Sequence, residues 1–345
     1  MAATQRSGWL YEGAGNGATE RTGSLGRPGE ASWQAPWGVI LAGGDGVRLR
    51  SLTRRITGDE RPKQFCPILG PETLLDQTRR RTALTVSPCR TVVVVTRTHQ
   101  SFYAPSVAGL LSGSLVEQPE NKGTAPAILY ALLRLAGMAA TDPVVIFPSD
   151  HYVSDDAGFM AHVESAFAAV RARPELVVLL GITPDRPEVE YGWIEPAEPI
   201  LGEGQGAVCR VRRFWEKPSP LLAQTLRAEG CLWNSFVIVA RVPALLGLIH
   251  RAIPDLYYAF DSIRPAMNTF GEAEAVRALY SRFPSTDFSG QVLAPSPVYL
   301  AVLPVRGVRW NDLGDPHRVL ATQRQLDRRP HDDRRGRAPA ELSVW

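Results

Sequence analysis

Trp37-Gly38-Val39-Ile40-Leu41-Ala42-Gly43-Gly44-Asp45-Gly46-Val47-Arg48-Leu49 is the stretch on which the reading of this chain turns. A short apolar run ends in three glycines within four positions, the pattern of a strand that turns sharply into a loop. Backbone N–H groups exposed in such a turn can cradle phosphate oxygens. The spacing excludes two nucleotide-binding patterns. No Gly-Lys-Ser/Thr follows, as a P-loop requires, and Leu49 stands where the dinucleotide G-x-G-x-x-G pattern needs its third Gly. Taken alone, the loop reads equally as a tight strand-to-helix turn with no ligand.

Outward from this stretch, short apolar runs alternate with helical patterns. Trp37–Ala42, Thr91–Thr96, Val144–Phe147 and Leu176–Gly181 are strand candidates, and Thr73–Leu84, Ala125–Ala139 and Phe159–Arg171 carry helical spacing. Strands alternating with helices of this length predict an α/β, Rossmann-like, mixed but mainly parallel open sheet with helices on both faces. Ligands of such sheets bind beyond the carboxyl ends of the strands. Further strands are expected at Val208–Trp215, Leu232–Ala240 and Val298–Pro304. Residues 1–35 and 328–345 read as polar tails and 36–327 as one domain. Within it, two halves are expected, over about 36–185 and about 186–327.

Composition narrows the function classes. The 345 residues carry 38 basic and 35 acidic side chains, a net charge of +3, which argues against a general nucleic-acid binder. No run reaches the ~20 apolar residues of a membrane span, and no secretory leader is visible, so a cytoplasmic location is expected. Cys66, Cys89, Cys209 and Cys231 form no C-x-x-C pair and read as reduced thiols. Only three of the 38 basic residues are lysines: Lys63, Lys122 and Lys217. Lysine presents a compact ammonium that arginine does not replace at a constrained site.

Lys63 falls in Pro62-Lys63-Gln64-Phe65, shortly after Arg48. Glycine amides, a guanidinium and an ammonium together would neutralise a triphosphate and the charge developing in phosphoryl-type transfer. The intervening Arg50–Arg61 is polar without a clean period and reads as a mobile flap. Asp150, in Pro148-Ser149-Asp150-His151, follows the strand Val144–Phe147. A carboxylate there suits magnesium, which takes one or two protein carboxylates plus substrate oxygens, or it caps the following helix. His151 reads as a structural hydrogen-bonding residue.

These segments together resemble the sugar-phosphate nucleotidyltransferases. The Pro-Lys-Gln-Phe form is nearest to the mannose-1-phosphate guanylyltransferases, and the resemblance runs from about Trp37 to Val319. It includes Gln118-Pro119-Glu120-Asn121 with Thr124-Ala125-Pro126-Ala127, Tyr191-Gly192-Trp193-Ile194-Glu195, Phe214-Trp215-Glu216-Lys217-Pro218 and Trp233-Asn234-Ser235. It implies the nucleotidyltransferase fold and a reaction of nucleoside triphosphate with sugar 1-phosphate to give nucleotide-sugar and pyrophosphate. The preferred pair is GTP with mannose 1-phosphate, giving GDP-mannose. Another base, another sugar such as glucose 1-phosphate, and a non-catalytic nucleotide-sugar-binding regulatory subunit are the alternatives, and homo-oligomer formation is left open.

By the same resemblance Arg48, Lys63 and Lys217 are catalytic. Leu41, Ala42, Gly43, Gly44, Gly46, Gln118 and Thr124 bind nucleotide. Gly192, Glu195, Glu216, Lys217 and Asn234 bind the sugar phosphate. Asp150 holds Mg2+ with Asp287, or with Asp312 of the Trp310-Asn311-Asp312-Leu313-Gly314 segment. Two departures stand out: Lys122-Gly123 where the family commonly carries Arg-Asn, and Phe236-Val237 where it carries Gly-Ile. The Phe is expected to narrow or reshape the sugar pocket.

Overall fold

Val39 and Gly38 point to opposite faces of their strand, and what each meets defines the layers. Val39 packs into a large apolar cluster with Ile128, Leu132 and Leu245, whereas a Cβ on Gly38 would touch Thr82 on the other side. The computed structural model describes residues 35–327 apart from positions 112 and 140. Residue 35 aside, the two tails expected from the sequence lie outside the described residues.

The first half alternates as the apolar pattern predicts. It runs β1 (Trp37–Leu41), α1 (Arg50–Thr57), α2 (Leu74–Thr82), β2 (Thr91–Thr96), α3 (Gln100–Val107), β3 (Leu115–Gln118), α4 (Thr124–Met138), β4 (Pro143–Pro148), a short β5 (Tyr152–Val153), α5 (Asp156–Ala172) and β6 (Val177–Ile182). The rest is strand-rich: β7 (Gly192–Leu201), β8 (Val208–Glu216), α6 (Pro220–Ala228), β9 (Leu232–Arg241), α7 (Val242–Ala252), α8 (Pro254–Asp261), α9 (Glu272–Tyr280), β10 (Leu300–Val305), β11 (Trp310–Asn311) and α10 (Pro316–Asp327).

Nine strands form one sheet in the order β3-β2-β1-β4-β9-β6-β10-β8-β7. β1 pairs in parallel with β2 and β4, β2 with β3, and β6 with β10. β9 runs antiparallel between β4 and β6, and β8 antiparallel between β10 and β7. The sheet is thus mixed, with only β8 and β9 reversed. Because β6 lies between β9 and β10, both halves of the sequence share one sheet. Every residue of β2 and β6 is buried, as expected of strands covered on both faces.

α3, β3, β5 and β7 add to the elements expected from the sequence, and one segment departs from its reading. Arg50–Arg61, read as a mobile flap, contains the eight-residue helix α1. Leu52 and Thr53 are its only buried residues, and Leu52 joins Leu49, Cys66, Ile68, Leu69, Leu74, Leu313 and Val319 in a second apolar cluster. Ile56, one turn on from Leu52, is partly buried against the same cluster, and this narrow apolar stripe suffices to hold a short helix by tertiary packing. This cluster ties the glycine loop, the Pro-Lys-Gln-Phe segment and the Asp312–Gly314 turn together.

Candidate active site

The glycine loop leaves the carboxyl end of β1 in a shape only glycine fits. Gly46 has φ 58, and a Cβ there would sit 2.9 Å from the Lys63 backbone nitrogen and 3.1 Å from the Cα of Pro62. Both the left-handed dihedral and the close approach of another backbone exclude a side chain. Gln64 donates from Nε2 to the carbonyls of Ala42 (3.0 Å) and Gly44 (2.7 Å), which fastens the loop to the Lys63 segment. Gly44, Gly46, Arg48, Lys63, Gln64, Asp150 and Gly314 line a cleft of about 280 Å³.

Lys63 is held from three directions. Its Nζ donates to the carbonyls of Asp312 (2.5 Å) and Leu313 (3.1 Å) and lies 3.3 Å from Asp150 Oδ2. Its side chain is 12% exposed, so this ammonium is fixed rather than sampling solvent. Asp150 does not cap α5, because Asp155 does that by accepting from the Gly158 N–H. Arg48 is exposed at the cleft mouth and pairs with Glu190 at 3.1 Å. Burial, with Lys63 adding positive charge, pushes the His151 imidazole down to about 4 despite the nearby Asp150 carboxylate. The ring stands edge-on to Trp310, and its buried Nδ1 has no hydrogen-bond partner.

The segment 118–124 is stitched to two places. Tyr280 donates its hydroxyl to Gln118 Oε1 at 3.0 Å, and a Cβ on Gly43 would meet Gln118 Nε2 at 2.7 Å. Gln118 therefore presents its amide nitrogen to the loop. Asn121 donates to Asp45 at 2.9 Å. Thr124 opens α4, whose first turn holds no acidic residue, so the helix end is a favourable place for an anion. Thr124 Oγ1 accepts from the Phe288 N–H at 2.9 Å and lies 3.4 Å from Asp287 Oδ1. The Thr286 N–H donates to the Lys122 carbonyl, and a Cβ on Gly123 would collide with the Thr286 carbonyl oxygen at 2.4 Å. Gly123 thus lets Asp287 approach Thr124.

Around β7, β8 and β9 the strand registers do the assembling. Gly192 pairs with Glu216 across β7 and β8, and Trp193 with Trp233 across β7 and β9. Gly192, Glu216 and Asn234 consequently fall in one row. A Cβ on Gly192 would lie 2.9 Å from Glu216 Oε2, so glycine gives that carboxyl its room. Burial, reinforced by the nearby Asp287 charge, raises Glu216 to about 7, against the opposing pull of Lys217. Lys217 is exposed, with φ 50 and Nζ 3.8 Å from Glu216. Glu195 is not in the row. It lies three residues along β7, about 10 Å away at the strand rise, and pairs with Arg212 at 3.0 Å.

The two alternative second carboxylates differ in their surroundings. Asp312 accepts from the Tyr191 hydroxyl (3.0 Å), the Gly314 N–H (2.9 Å) and Arg318 through both oxygens (2.9 and 3.1 Å). Burial disfavours its charge, but Lys63, His151 and Arg318 outweigh that and hold it below the ordinary range. Asp287 Oδ2 accepts only the Gly290 N–H at 2.6 Å, and Oδ1 faces Thr124. Asp150 and Asp287 are hard oxygen donors of the kind magnesium takes. No group of three or more His, Cys, Asp or Glu side chains suited to a metal occurs among the described residues.

Sequence reasoning missed Glu190, Tyr191 and Arg318 as supports of the site. Arg318 is only 8% exposed and also pairs with Glu188 at 2.9 Å and Asp315 at 3.0 Å. The spacing Asp312-x-x-Asp315-x-x-Arg318 was its only local signal; Glu188 and Tyr191 are too far along the chain to suggest it.

Sequence comparison places this fold and its cleft in a class of transferases. Residues 37–329 match the family described as Nucleotidyl transferase, and the chain belongs to that family. It is 34% identical over 219 residues to the xanthan biosynthesis protein XanB of Xanthomonas campestris pv. campestris, covering 63% of this chain and 44% of that protein. It is 32% identical over 236 residues to a mannose-1-phosphate guanylyltransferase of Escherichia coli, covering 67% of this chain and 48% of the other. The chain thus spans about half the length of these curated relatives. A Thermus thermophilus structure described as mannose-1-phosphate geranyltransferase superposes with a TM-score of 0.72 at 28% identity, covering 87% of this chain and 81% of that one. A Helicobacter pylori structure described as mannose-6-phosphate isomerase shares the fold at 18% identity and a TM-score of 0.62, covering 81% of this chain and 100% of that one. No helix among the described residues is long and apolar enough to cross a membrane.

Proposed function

We propose that this chain transfers a nucleotidyl group from a nucleoside triphosphate to a sugar 1-phosphate, releasing pyrophosphate, with GTP and mannose 1-phosphate the preferred pair. The observation that carries the reading is the cleft where the glycine loop, Arg48, Lys63 and Asp150 converge at the carboxyl ends of β1 and β4. Likeness to the Escherichia coli guanylyltransferase supports the choice of substrates.

In this reading, loop amides and the α4 N-terminus receive the triphosphate, with Gln118 and Thr124 on the nucleotide side. Lys63 and Arg48 neutralise charge that builds on the α-phosphate. An acceptor phosphate oxygen attacks the α-phosphorus in line, the bond to the β-phosphate oxygen breaks, and pyrophosphate leaves with that electron pair. Lys217 grips the acceptor phosphate, while Glu216 and Asn234 bond sugar hydroxyls. Asp150 and Asp287 would hold magnesium, which would supply further neutralisation of phosphate charge. Asp312 serves Arg318 and Tyr191 instead, since its oxygens are already engaged.

Pyrophosphate release over a matrix of nucleoside triphosphates and sugar 1-phosphates, with and without magnesium, tests this. GTP with mannose 1-phosphate is expected to give the highest kcat/KM. Silence across the matrix from folded protein would overturn the reading; preference for another pair would overturn its substrate assignment.

A further inference from the structure

Four non-glycine residues among those described have positive φ, and three of them, Lys217, Phe236 and Leu313, lie in segments that build the site. Phe236, at φ 61, is the least expected, because a bulky side chain in the left-handed region is strained by about 1–2 kcal/mol. Its side chain is partly buried, packed against the edge of the main apolar cluster with some of its surface still exposed.

The strain is built into β9. Between the pairs Leu179–Ile238 and Gly181–Asn234 the register slips, and Ser235, Phe236 and Val237 bulge opposite Leu180. Ser235 Oγ donates to the Leu180 carbonyl at 2.6 Å and accepts from the Val237 N–H at 3.1 Å, which locks the bulge. The Phe236 N–H donates to Asn234 Oδ1 at 3.0 Å, leaving the Asn234 amide nitrogen for a ligand. The Phe236 ring meets Phe288 at 6.2 Å, tilted 72°. Phe288 follows Asp287 and is tethered to Thr124. Phe236 therefore stands between the acceptor row and the Asp287 turn, and strained backbone held by surrounding bonds is a mark of functional sites.

We propose that Phe236 is a specificity-determining residue whose ring walls the acceptor pocket, admitting unsubstituted hexose 1-phosphates and excluding those with a bulky N-acetyl group. This rests on the nucleotidyltransferase reading above. The test compares wild type with Phe236→Gly, which removes the ring and relieves the backbone. Mannose, glucose and N-acetylglucosamine 1-phosphates are assayed for pyrophosphate release with a fixed saturating triphosphate. The ratio of kcat/KM for N-acetylglucosamine 1-phosphate to that for mannose 1-phosphate is expected to rise at least tenfold. The KM for triphosphate should change less than threefold. Phe236→Asn, which also tolerates the left-handed region, gives a second measurement if the glycine variant unfolds. An active wild type with an unchanged ratio in the folded variant overturns this inference alone. Inactivity of wild type and variants alike on all three acceptors overturns the parent reading, and the inference with it.

Discussion

Replacing Lys63 by Arg keeps the charge and changes only its shape, which makes it the sharpest probe of the cleft. Three oxygens surround Nζ: the Asp312 carbonyl at 2.5 Å, the Leu313 carbonyl at 3.1 Å and Asp150 Oδ2 at 3.3 Å. An ammonium has three donors to meet them. A planar guanidinium is longer and cannot converge on three oxygens arranged about one point. At least one carbonyl would lose a charged donor, a loss of about 2 kcal/mol. For a domain of this size that lowers Tm by about 3 °C. The displaced charge would also miss the α-phosphate, and losing one well-placed stabilising group lowers kcat by about 10²–10³. Thermal melts and pyrophosphate-release kinetics on the same preparation measure both effects. A Lys63→Arg enzyme melting within about 1–2 °C of wild type, with kcat within about threefold, would refute the claim that a compact, three-coordinated ammonium is required.

The remaining predictions concern the loop, the carboxylates and pH. Gly46→Ala forces a side chain into φ 58 and against the Lys63 backbone at 2.9 Å, so Tm should fall and kcat drop about 10²-fold through displacement of Lys63; an unperturbed enzyme would count against the loop geometry. Asp312→Asn should destabilise by about 3 kcal/mol, because it leaves the buried Arg318 short of a charge partner. Asp287→Asn should lower kcat by about 10²-fold or more with a smaller change in Tm; identical behaviour of the two variants would refute their separate roles. Glu216 is raised to about 7 from an ordinary 4.5, so the folded state holds its proton more tightly and this contribution to stability is lost as pH rises through about 7. That difference corresponds to about 3 kcal/mol, and solvent screening of the quarter-exposed side chain reduces it to about 2 kcal/mol. Denaturant titrations of metal-free wild type and Glu216→Gln at pH 5 and pH 8 should diverge by that amount; parallel curves would show that Glu216 titrates normally.

Local pattern alone was enough for β1, β2, β4, β6, α2, α4 and α5 of the first half, but not for α1, α3, β3 or β5. Apolar runs such as Thr91-Val92-Val93-Val94-Val95-Thr96 are bounded by turn residues and coincide with β2, since a strand buried on both faces leaves a continuous apolar signal. The glycine loop was legible because its conformational demand is local: Gly46 must accept φ 58 wherever the loop occurs. The scarcity of lysine drew attention to Lys63 and Lys217, although composition says nothing of what an ammonium touches. α1 was missed because only Leu52 and Ile56 mark its apolar stripe, and its stability comes from their reaching a cluster that includes Leu313 and Val319, partners distant in sequence.

What only the tertiary structure decided are relations between distant residues. Strand register put Gly192, Glu216 and Asn234 in one row and left Glu195 with Arg212, because a pleated strand carries a side chain away from its neighbours in fixed steps. Packing engaged Asp312 with Arg318 and Tyr191 while bringing Asp287 to Thr124, a distinction between carboxylates that no spacing encodes. The sequence by itself determined the alternation of strands and helices and the loop only glycine can form, since periodicity and backbone dihedrals are properties of neighbouring residues. Which charges face one another across the cleft was decided by the closing of the sheet, where residues far apart in the chain desolvate and neutralise each other.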